Sequence, residues 1–230
     1  MSIQLIQGDC LEEMKKLADD GVKVDLVLTD PPYLMNYHTG RRKDKYHDFC
    51  KPIANDTNFD LIKDIMPLLF ELLKEGGAVY MFCNANHIDY FKQQIEQHFQ
   101  LKNILIWVKN NWSAGDLKGA YAKQTEFIVY AVKGRHLLNG ARDTDILYYD
   151  RVVGNMQLHQ NQKPVDLLTF LINKSSKPND TILDCFMGSG TTGVACVNTN
   201  RNFIGIELDE NYYKIAQERI NETKKQTKLM

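Results

Sequence analysis

The segment Asp30-Pro31-Pro32-Tyr33 combines residue types that could hold a flat group bearing an amino nitrogen. It follows an apolar run, residues 24–29, that is typical of a buried parallel strand. Two consecutive prolines keep the backbone extended and remove two N–H donors. The carboxylate of Asp30 and the neighbouring carbonyls therefore offer hydrogen-bond acceptors beside an aromatic ring. A nucleobase with an exocyclic amino group matches this combination of acceptors and a stacking surface.

A second set of residues predicts a nucleoside cofactor. A predicted strand that ends in Asp184 leads through a glycine loop, residues 186–190, into a helix that begins at Thr191. Glycines in such a loop let the backbone and the helix N-terminus approach a ligand closely. Glu207 ends the next predicted strand, about twenty residues further on, where an acid can bind ribose hydroxyls.

The acid before the glycine loop indicates which cofactor this is. The spacing of the glycines matches the dinucleotide fingerprint only formally. The carboxylate of Asp184 would repel a pyrophosphate, whereas it could bind an amino acid that carries an ammonium or a sulfonium. S-adenosylmethionine is therefore favoured over NAD. Asp9, after the first predicted strand, is a weaker candidate for binding the adenine amino group of the same cofactor, because Gly-Asp also makes ordinary turns.

Strand and helix patterns that alternate along the whole chain must position these residues, which indicates an α/β protein with a mostly parallel sheet. Strands are predicted at residues 3–7, 24–29, 78–83, 101–109, 126–132, 181–185 and 202–206. Helices are predicted at residues 10–18, 61–74, 88–97, 163–175, 191–199 and 210–223, the second of them ended by Gly76-Gly77. Polar residues about 34–58 and 134–158 are predicted to be surface inserts in a single domain that spans residues 1–230.

The composition narrows the class of protein. With 230 residues, 43% of them hydrophobic and 25% charged, the chain is ordinary for a soluble globular protein. No apolar run approaches the roughly 18 residues that span a membrane, and the N-terminus lacks a signal peptide pattern. The five cysteines form no Cys-x-x-Cys pair, so we expect no zinc site, no disulfide framework and a reducing cytoplasm.

The net charge of −1 argues against nucleic-acid binding through bulk charge. A local basic cluster can still supply such contacts. One cluster follows the Asp30 motif closely, and we weigh it about equally as a DNA contact and as ordinary solvated surface. Its members are Arg41, Arg42, Lys43 and Lys45.

Taken together, these motifs resemble the β class of amino-group DNA methyltransferases, in which the catalytic motif precedes the cofactor loop. Further matching segments are His159-Gln-Asn-Gln162-Lys163-Pro164, Trp107-Val-Lys109 and Glu126-Phe-Ile-Val-Tyr130. The resemblance covers nearly the whole chain except the two inserts. Several ordered motifs coincide, so chance is a poor explanation.

The resemblance implies a three-layer α/β/α Rossmann-like fold with a mixed seven-stranded sheet in a circularly permuted order. It implies that the target base is flipped out of double-stranded DNA into the pocket. There the Asp30 carboxylate and the Pro31 carbonyl would hold the amino group, and Tyr33 would stack on the ring. S-adenosylmethionine would be bound by Asp9, Asp184, Phe186, Gly188, Ser189, Gly190, Thr191 and Glu207. Lys163 and His159 are implied to contact the cofactor or to close the pocket.

Adenine is the favoured substrate, because members of the family that methylate the amino group of cytosine usually carry Ser in place of Asp30. RNA and protein-glutamine methyltransferases typically carry Asn there, which counts against them. A non-catalytic DNA-binding relic is the reading from another class, and the complete set of motif residues argues against it. Cytosine-N4 methylation of DNA stays the main alternative.

The second insert is short for a target-recognition region in this family. The strand that carries Tyr130 and the His159 segment are separated by little more than this insert. Sequence recognition would therefore depend on the two inserts alone or on a second subunit that completes the DNA cleft. We predict a homodimer, and a cognate restriction enzyme is a further candidate partner.

Overall fold

The computed structural model describes residues 1–33, 58–112, 117–152 and 162–228. Within these ranges the strands are β1 (Ile3–Gln7), β2 (Val24–Thr29), β3 (Leu73–Cys83), β4 (Gln100–Val108), β5 (Thr125–Val132), β6 (Ile146–Tyr148), β7 (Thr181–Asp184) and β8 (Asn202–Glu207). The helices are α1 (Cys10–Asp19), α2 (Phe59–Leu72), α3 (Ile88–Glu96), α4 (Val165–Ser175), α5 (Thr191–Asn198) and α6 (Glu210–Lys228).

The strands form one mixed sheet in the order β1-β8-β7-β2-β3-β5-β4-β6. Strand β5 runs antiparallel to both β3 and β4, and the other neighbouring strands are parallel. The predicted fold class is confirmed, with eight strands in the described residues where we expected seven. The additional strand is β6, which lies inside the second predicted insert. Three residues are too few to produce a recognisable alternation of apolar and polar positions.

Helices cover both faces of the sheet, so the fold has the three predicted layers. Successive strand residues point to opposite faces. On β2, Val27 belongs to the apolar core shared with α1, α2 and α3, whereas Leu26 and Leu28 belong to the core shared with α4, α5 and α6. The near-continuous apolar sequence of this strand follows from burial on both faces.

The connection between α2 and β3 differs from the prediction. Helix α2 ends at Leu72, before the glycines, and β3 begins at the next residue. A Cβ atom on Gly77 would lie 2.9 Å from the carbonyl oxygen of Asp25 on the neighbouring strand. The absence of a side chain at Gly77 therefore permits close strand pairing and does not mark the end of the helix.

Four parallel strands bring the predicted functional residues to one edge of the sheet. Strands β1, β8, β7 and β2 are consecutive neighbours, so their carboxyl ends point the same way. Asp9 and Asp30 follow β1 and β2, while Asp184 and Glu207 end β7 and β8. Ligands of open α/β sheets bind at this edge.

No helix in the described part of the chain is both long enough and apolar enough to cross a membrane.

The close packing of α5 on α6 leaves no room for a side chain at Gly193. An added Cβ would lie 2.3 Å from Cδ1 of Ile220 and 2.9 Å from Cε1 of Phe203, and both side chains are buried. We expect Gly193→Ala to lower the free energy of unfolding by about 1–3 kcal/mol, because the core is overpacked. Urea denaturation followed by circular dichroism measures this loss. Adding Ile220→Val removes the closest atom and should restore part of it; a single variant as stable as the wild type would contradict the packing argument.

Candidate active site

The residues of the Asp30 motif lie together at the carboxyl end of β2. The phenolic O–H of Tyr33 donates a hydrogen bond of 2.7 Å to Oδ1 of Asp30. Pro31 is buried, and Asp30, Pro32 and Tyr33 are partly exposed. The motif therefore places a carboxylate and an aromatic ring side by side at the surface of the core.

Lys163 lies in direct contact with this motif. Its ammonium is 2.7 Å from Oδ2 of Asp30, 2.8 Å from the hydroxyl of Tyr33 and 3.1 Å from Oε2 of Glu126. Lys163 is predicted to contact the cofactor or to close the pocket, and the structure places its ammonium between the carboxylates of Asp30 and Glu126. The reason is that Lys163 precedes α4, which packs against β2 and β3 and so directs the lysine to the end of β2.

Two further residues of this region were missed as site residues. Lys109 follows β4, Glu126 lies on β5, and their side chains form an ion pair. The antiparallel register of β4 and β5 brings them together, because Glu126 is opposite Trp107. Both residues belong to segments that carry the family resemblance, but a lysine and an acid this far apart in sequence give no signal of contact. We call Asp30, Tyr33, Lys109, Glu126 and Lys163 the Asp30 cluster.

Burial and ion pairing act in opposite directions within the Asp30 cluster. Burial raises the pKa of Asp30, and the nearby Lys163 only partly offsets this. Burial also disfavours the charged form of Glu126, but the attraction of Lys163 and Lys109 outweighs it and lowers the pKa of Glu126 to about 2. Burial disfavours the charge of Lys163, yet the two carboxylates raise its pKa. Glu126 is therefore the more firmly ionised carboxylate of the two.

Asp184 forms hydrogen bonds to both ends of the glycine loop. Its Oδ1 accepts hydrogen bonds from the hydroxyl of Thr29 at 2.9 Å and from the amide of Phe186 at 3.1 Å. Its Oδ2 accepts one from the hydroxyl of Thr192 at 2.6 Å. Since Asp184 is only 3% exposed, its observed role is to position the loop. Contact with a methionine ammonium stays a prediction for this residue.

The glycine loop turns sharply before α5. Gly188 and Gly190 have φ values of 51° and 80°, in the left-handed region that favours glycine. A Cβ on Gly190 would also lie 2.9 Å from Cα of Ala216 on α6. Phe186, at the start of the loop, is partly buried and packs against the core on the α1–α3 face.

Arg219 on α6 also forms hydrogen bonds to the glycine loop. The sequence did not predict this contact. Its guanidinium donates to the carbonyl oxygen of Ser189 at 2.5 Å and to the Ser189 hydroxyl at 2.9 Å, and it approaches the hydroxyl of Thr191 at 3.4 Å. Ser189 and Thr191 are buried. The hydroxyl of Ser189 is thus engaged by the protein itself. An arginine in the last helix carries no sequence signal of contact with a loop thirty positions earlier.

Glu207 ends β8, and Asp9 follows β1, the strand that pairs with β8. Oε2 of Glu207 accepts a hydrogen bond from the backbone amide of Gly188 at 2.9 Å, and Oε1 accepts one from the backbone amide of Asp209 at 2.8 Å. Burial raises the pKa of Glu207. Asp9 caps α1, because its Oδ1 accepts from the amide of Leu11 at 2.9 Å. A carboxylate oxygen has two lone pairs, so both side chains retain acceptor capacity for a ligand.

The basic cluster of Arg41, Arg42, Lys43 and Lys45 lies outside the described residues, and so does His159. Their assignment stays a prediction.

Comparison with known proteins identifies the family. The family model described as "DNA methylase", for the N6 and N4 type, matches residues 24–218. The chain belongs to this family.

Individual relatives agree with the family match. The chain is 31% identical over 223 residues to the "Putative methylase YubD" of Escherichia coli K12, an alignment that covers 94% of this chain and 89% of the relative. It is 27% identical to the "DNA adenine methyltransferase YhdJ" of the same organism, over 94% of this chain and 82% of the relative. A crystal structure of the M1.HpyAVI–SAM complex superimposes with a TM-score of 0.75 at 32% identity, covering 95% and 99% of the two chains.

Asp184 should make stability depend on pH. Burial raises its pKa from 3.8 to about 7, so between these values the folded protein binds a proton that the unfolded chain has released. The unfolding free energy of the wild type should therefore fall, relative to that of Asp184→Asn, as the pH rises from 4 to 7. Urea denaturation of both proteins across this range measures the difference, and parallel curves would contradict the buried carboxyl.

Proposed function

We propose that this protein transfers a methyl group from S-adenosylmethionine to the exocyclic amino nitrogen of adenine in double-stranded DNA. One observation supports the proposal above all: the Asp30 motif and the glycine loop with Glu207 meet at the same edge of the sheet. Belonging to the DNA methylase family agrees with this reaction. The name of YhdJ, a DNA adenine methyltransferase, supports adenine as the substrate.

The residues at the ends of β7, β8 and β1 fit S-adenosylmethionine. Glu207 retains acceptor capacity for the ribose hydroxyls, and Asp9 does so for the adenine amino group. Gly188 has no side chain that would keep a ligand away, and Gly190 lets the loop pack closely on α6. Phe186, Ser189 and Thr191 complete the loop, which Asp184 and Arg219 hold in place. Bound there, S-adenosylmethionine supplies an electrophilic methyl group.

The Asp30 motif acts on the nucleophile. The nitrogen lone pair of an adenine amino group is delocalised into the ring. When the Asp30 carboxylate and the Pro31 carbonyl accept its two hydrogens, a more tetrahedral nitrogen with an available lone pair is favoured. Tyr33 offers a surface on which the flipped base stacks. Orientation and electrostatic stabilisation then account for the catalysis, without a covalent bond to the enzyme. Asp30 need not be a strong base, because the proton leaves a nitrogen that is already cationic.

We also infer the oligomeric state and the partners of the protein. The short second insert supports a homodimer in which two subunits complete the DNA cleft. The cytoplasm as its location and a cognate restriction enzyme as a partner are the remaining predictions from the sequence. Mapping modified bases by single-molecule sequencing in cells without other methylation tests base, sequence context and activity together. Modified cytosine in place of modified adenine would favour the N4 alternative.

We expect Asp30→Ala to abolish methyl transfer to DNA while the affinity for S-adenosylmethionine stays nearly unchanged. The reason is that Asp30 is proposed to contact the amino group of the target base and not the cofactor. Transfer of a tritiated methyl group measures the first, and isothermal titration calorimetry the second.

Asp25→Asn is the control, since Asp25 lies on the same strand and its carboxylate contacts Lys74 and the amide of Thr181, at the end of β2 remote from Asp30. This control should retain activity. Full methylation by Asp30→Ala would refute the mechanism.

We expect Glu207→Ala to weaken binding of S-adenosylmethionine by about 1.5–3 kcal/mol, the range for hydrogen bonds to a charged group. Titration calorimetry measures the change. Glu210→Ala is a suitable control, because Glu210 pairs with Lys214 on the exposed face of α6. Equal affinities of the Glu207 variant and the wild type would exclude the ribose role.

A further inference from the structure

The carboxylate of Asp30 is already engaged by donors of the protein itself. The hydroxyl of Tyr33 donates to Oδ1, and the ammonium of Lys163 lies 2.7 Å from Oδ2. An ammonium and an amino group both present N–H donors, so Lys163 stands where the proposed function requires a hydrogen of the substrate. The amino group of the base must therefore compete with Lys163 for Asp30.

A second carboxylate is placed to receive the lysine. Oε2 of Glu126 is 3.1 Å from the Lys163 ammonium, while Oε1 of the same residue is paired with Lys109. Glu126 and Lys109 are fixed by paired strands, because β4 and β5 form a continuous antiparallel ladder here. The lysine thus bridges Asp30 on one side and an anchored carboxylate on the other.

We infer that Glu126 is a positioning residue that takes Lys163 over from Asp30 when the amino group of the target base enters. This inference rests on the proposed function. The ammonium needs to move only within its present contacts, and it stays paired with a carboxylate throughout. The rings of Tyr33 and Phe82 lie 5.1 and 5.0 Å from the ammonium, and cation–π attraction keeps it within reach of both carboxylates.

The charges of the Asp30 cluster agree with this transfer. Two carboxylates face two ammonium groups, and Glu126 is the carboxylate held ionised by both lysines. Asp30 is the one whose pKa burial raises, so it gains from a new positively charged partner. The nitrogen of the base becomes that partner when it acquires the methyl group. Removing Lys163 entirely would leave two largely desolvated acids without the cation between them, which is unfavourable.

All charged or titratable groups near Asp30 must be considered in a test by pH. In the described residues these are Lys163, Glu126, Tyr33, Asp184 and Cys83, together with Lys109, which pairs with Glu126. The negative charge of Glu126 raises the pKa of Asp30 and the positive charge of Lys163 lowers it. Neutralising either residue should therefore shift the ionisation of Asp30, and the two shifts have opposite signs.

The experiment compares Glu126→Gln, Lys163→Met and the double variant in methyl transfer to unmethylated genomic DNA. In Glu126→Gln the lysine has lost its alternative carboxylate, so we expect kcat/KM for DNA to fall at least 10-fold with unchanged affinity for S-adenosylmethionine. The acid limb of its pH profile should move to lower pH. In Lys163→Met the acid limb should move to higher pH.

The double variant separates positioning from a merely structural role. Since the competing ammonium is gone, we expect Glu126→Gln with Lys163→Met to recover at least 5-fold over Glu126→Gln alone at pH 9. The inference would be overturned if the losses in kcat/KM of the two single variants added up in the double variant. It would also be overturned if the acid limbs of the two single variants moved in the same direction. Asp25→Asn again serves as the control for stability and activity.

The outcomes also distinguish this inference from the proposed function. A wild-type protein that methylates no DNA would refute the proposed function itself. An active wild type with an equally active Glu126→Gln variant would leave the function intact and exclude the positioning role.

Discussion

The buried carboxylate of Asp184 connects the Asp30 motif to the glycine loop, and the relative position of these two parts of the site depends on it. It binds the hydroxyl of Thr29, the residue directly before Asp30, and the hydroxyl of Thr192 on α5. One side chain therefore fixes the end of β2, the end of β7 and the start of the cofactor helix relative to one another. Methyl transfer needs a nucleophile and a methyl donor held at a fixed distance, because misplacement by about 1 Å can cost about 100-fold in rate.

The sheet provides the second constraint on this arrangement. Because β1, β8, β7 and β2 are parallel neighbours, every one of their carboxyl ends opens on the same side. The carboxyl ends of parallel neighbours lie side by side whatever the order of the strands in the chain. The catalytic motif can therefore precede the cofactor loop by about 150 residues in sequence and still lie beside it in the fold. Helices pack on both faces of the sheet and bury most of β2, β7 and β8, the strands that lead to Asp30, Asp184 and Glu207.

The sequence predicted those features whose signal is local. Apolar runs located seven of the strands, and the acids at strand ends located Asp30, Asp184 and Glu207. It could not predict contacts made by long-range packing: Glu126 with Lys109, Lys163 with Asp30, and Arg219 with Ser189. Gly76-Gly77 was misinterpreted because a glycine that permits close strand approach and one that ends a helix look alike in a sequence. Strand β6 was missed because three residues contain too little pattern.

The contacts that escaped prediction are electrostatic, and they bear on how the site can work before any substrate arrives. A buried, unpaired Asp30 would tend to take up a proton and lose its power to orient an amino group. Lys163 opposes this by pairing with it, but a lysine with no other partner would also block the acceptor. A second carboxylate resolves this conflict, since it lets the cation stay in the site while Asp30 changes partners. The short path between Oδ2 of Asp30 and Oε2 of Glu126 is thus as much a part of the site as the Asp30 motif itself.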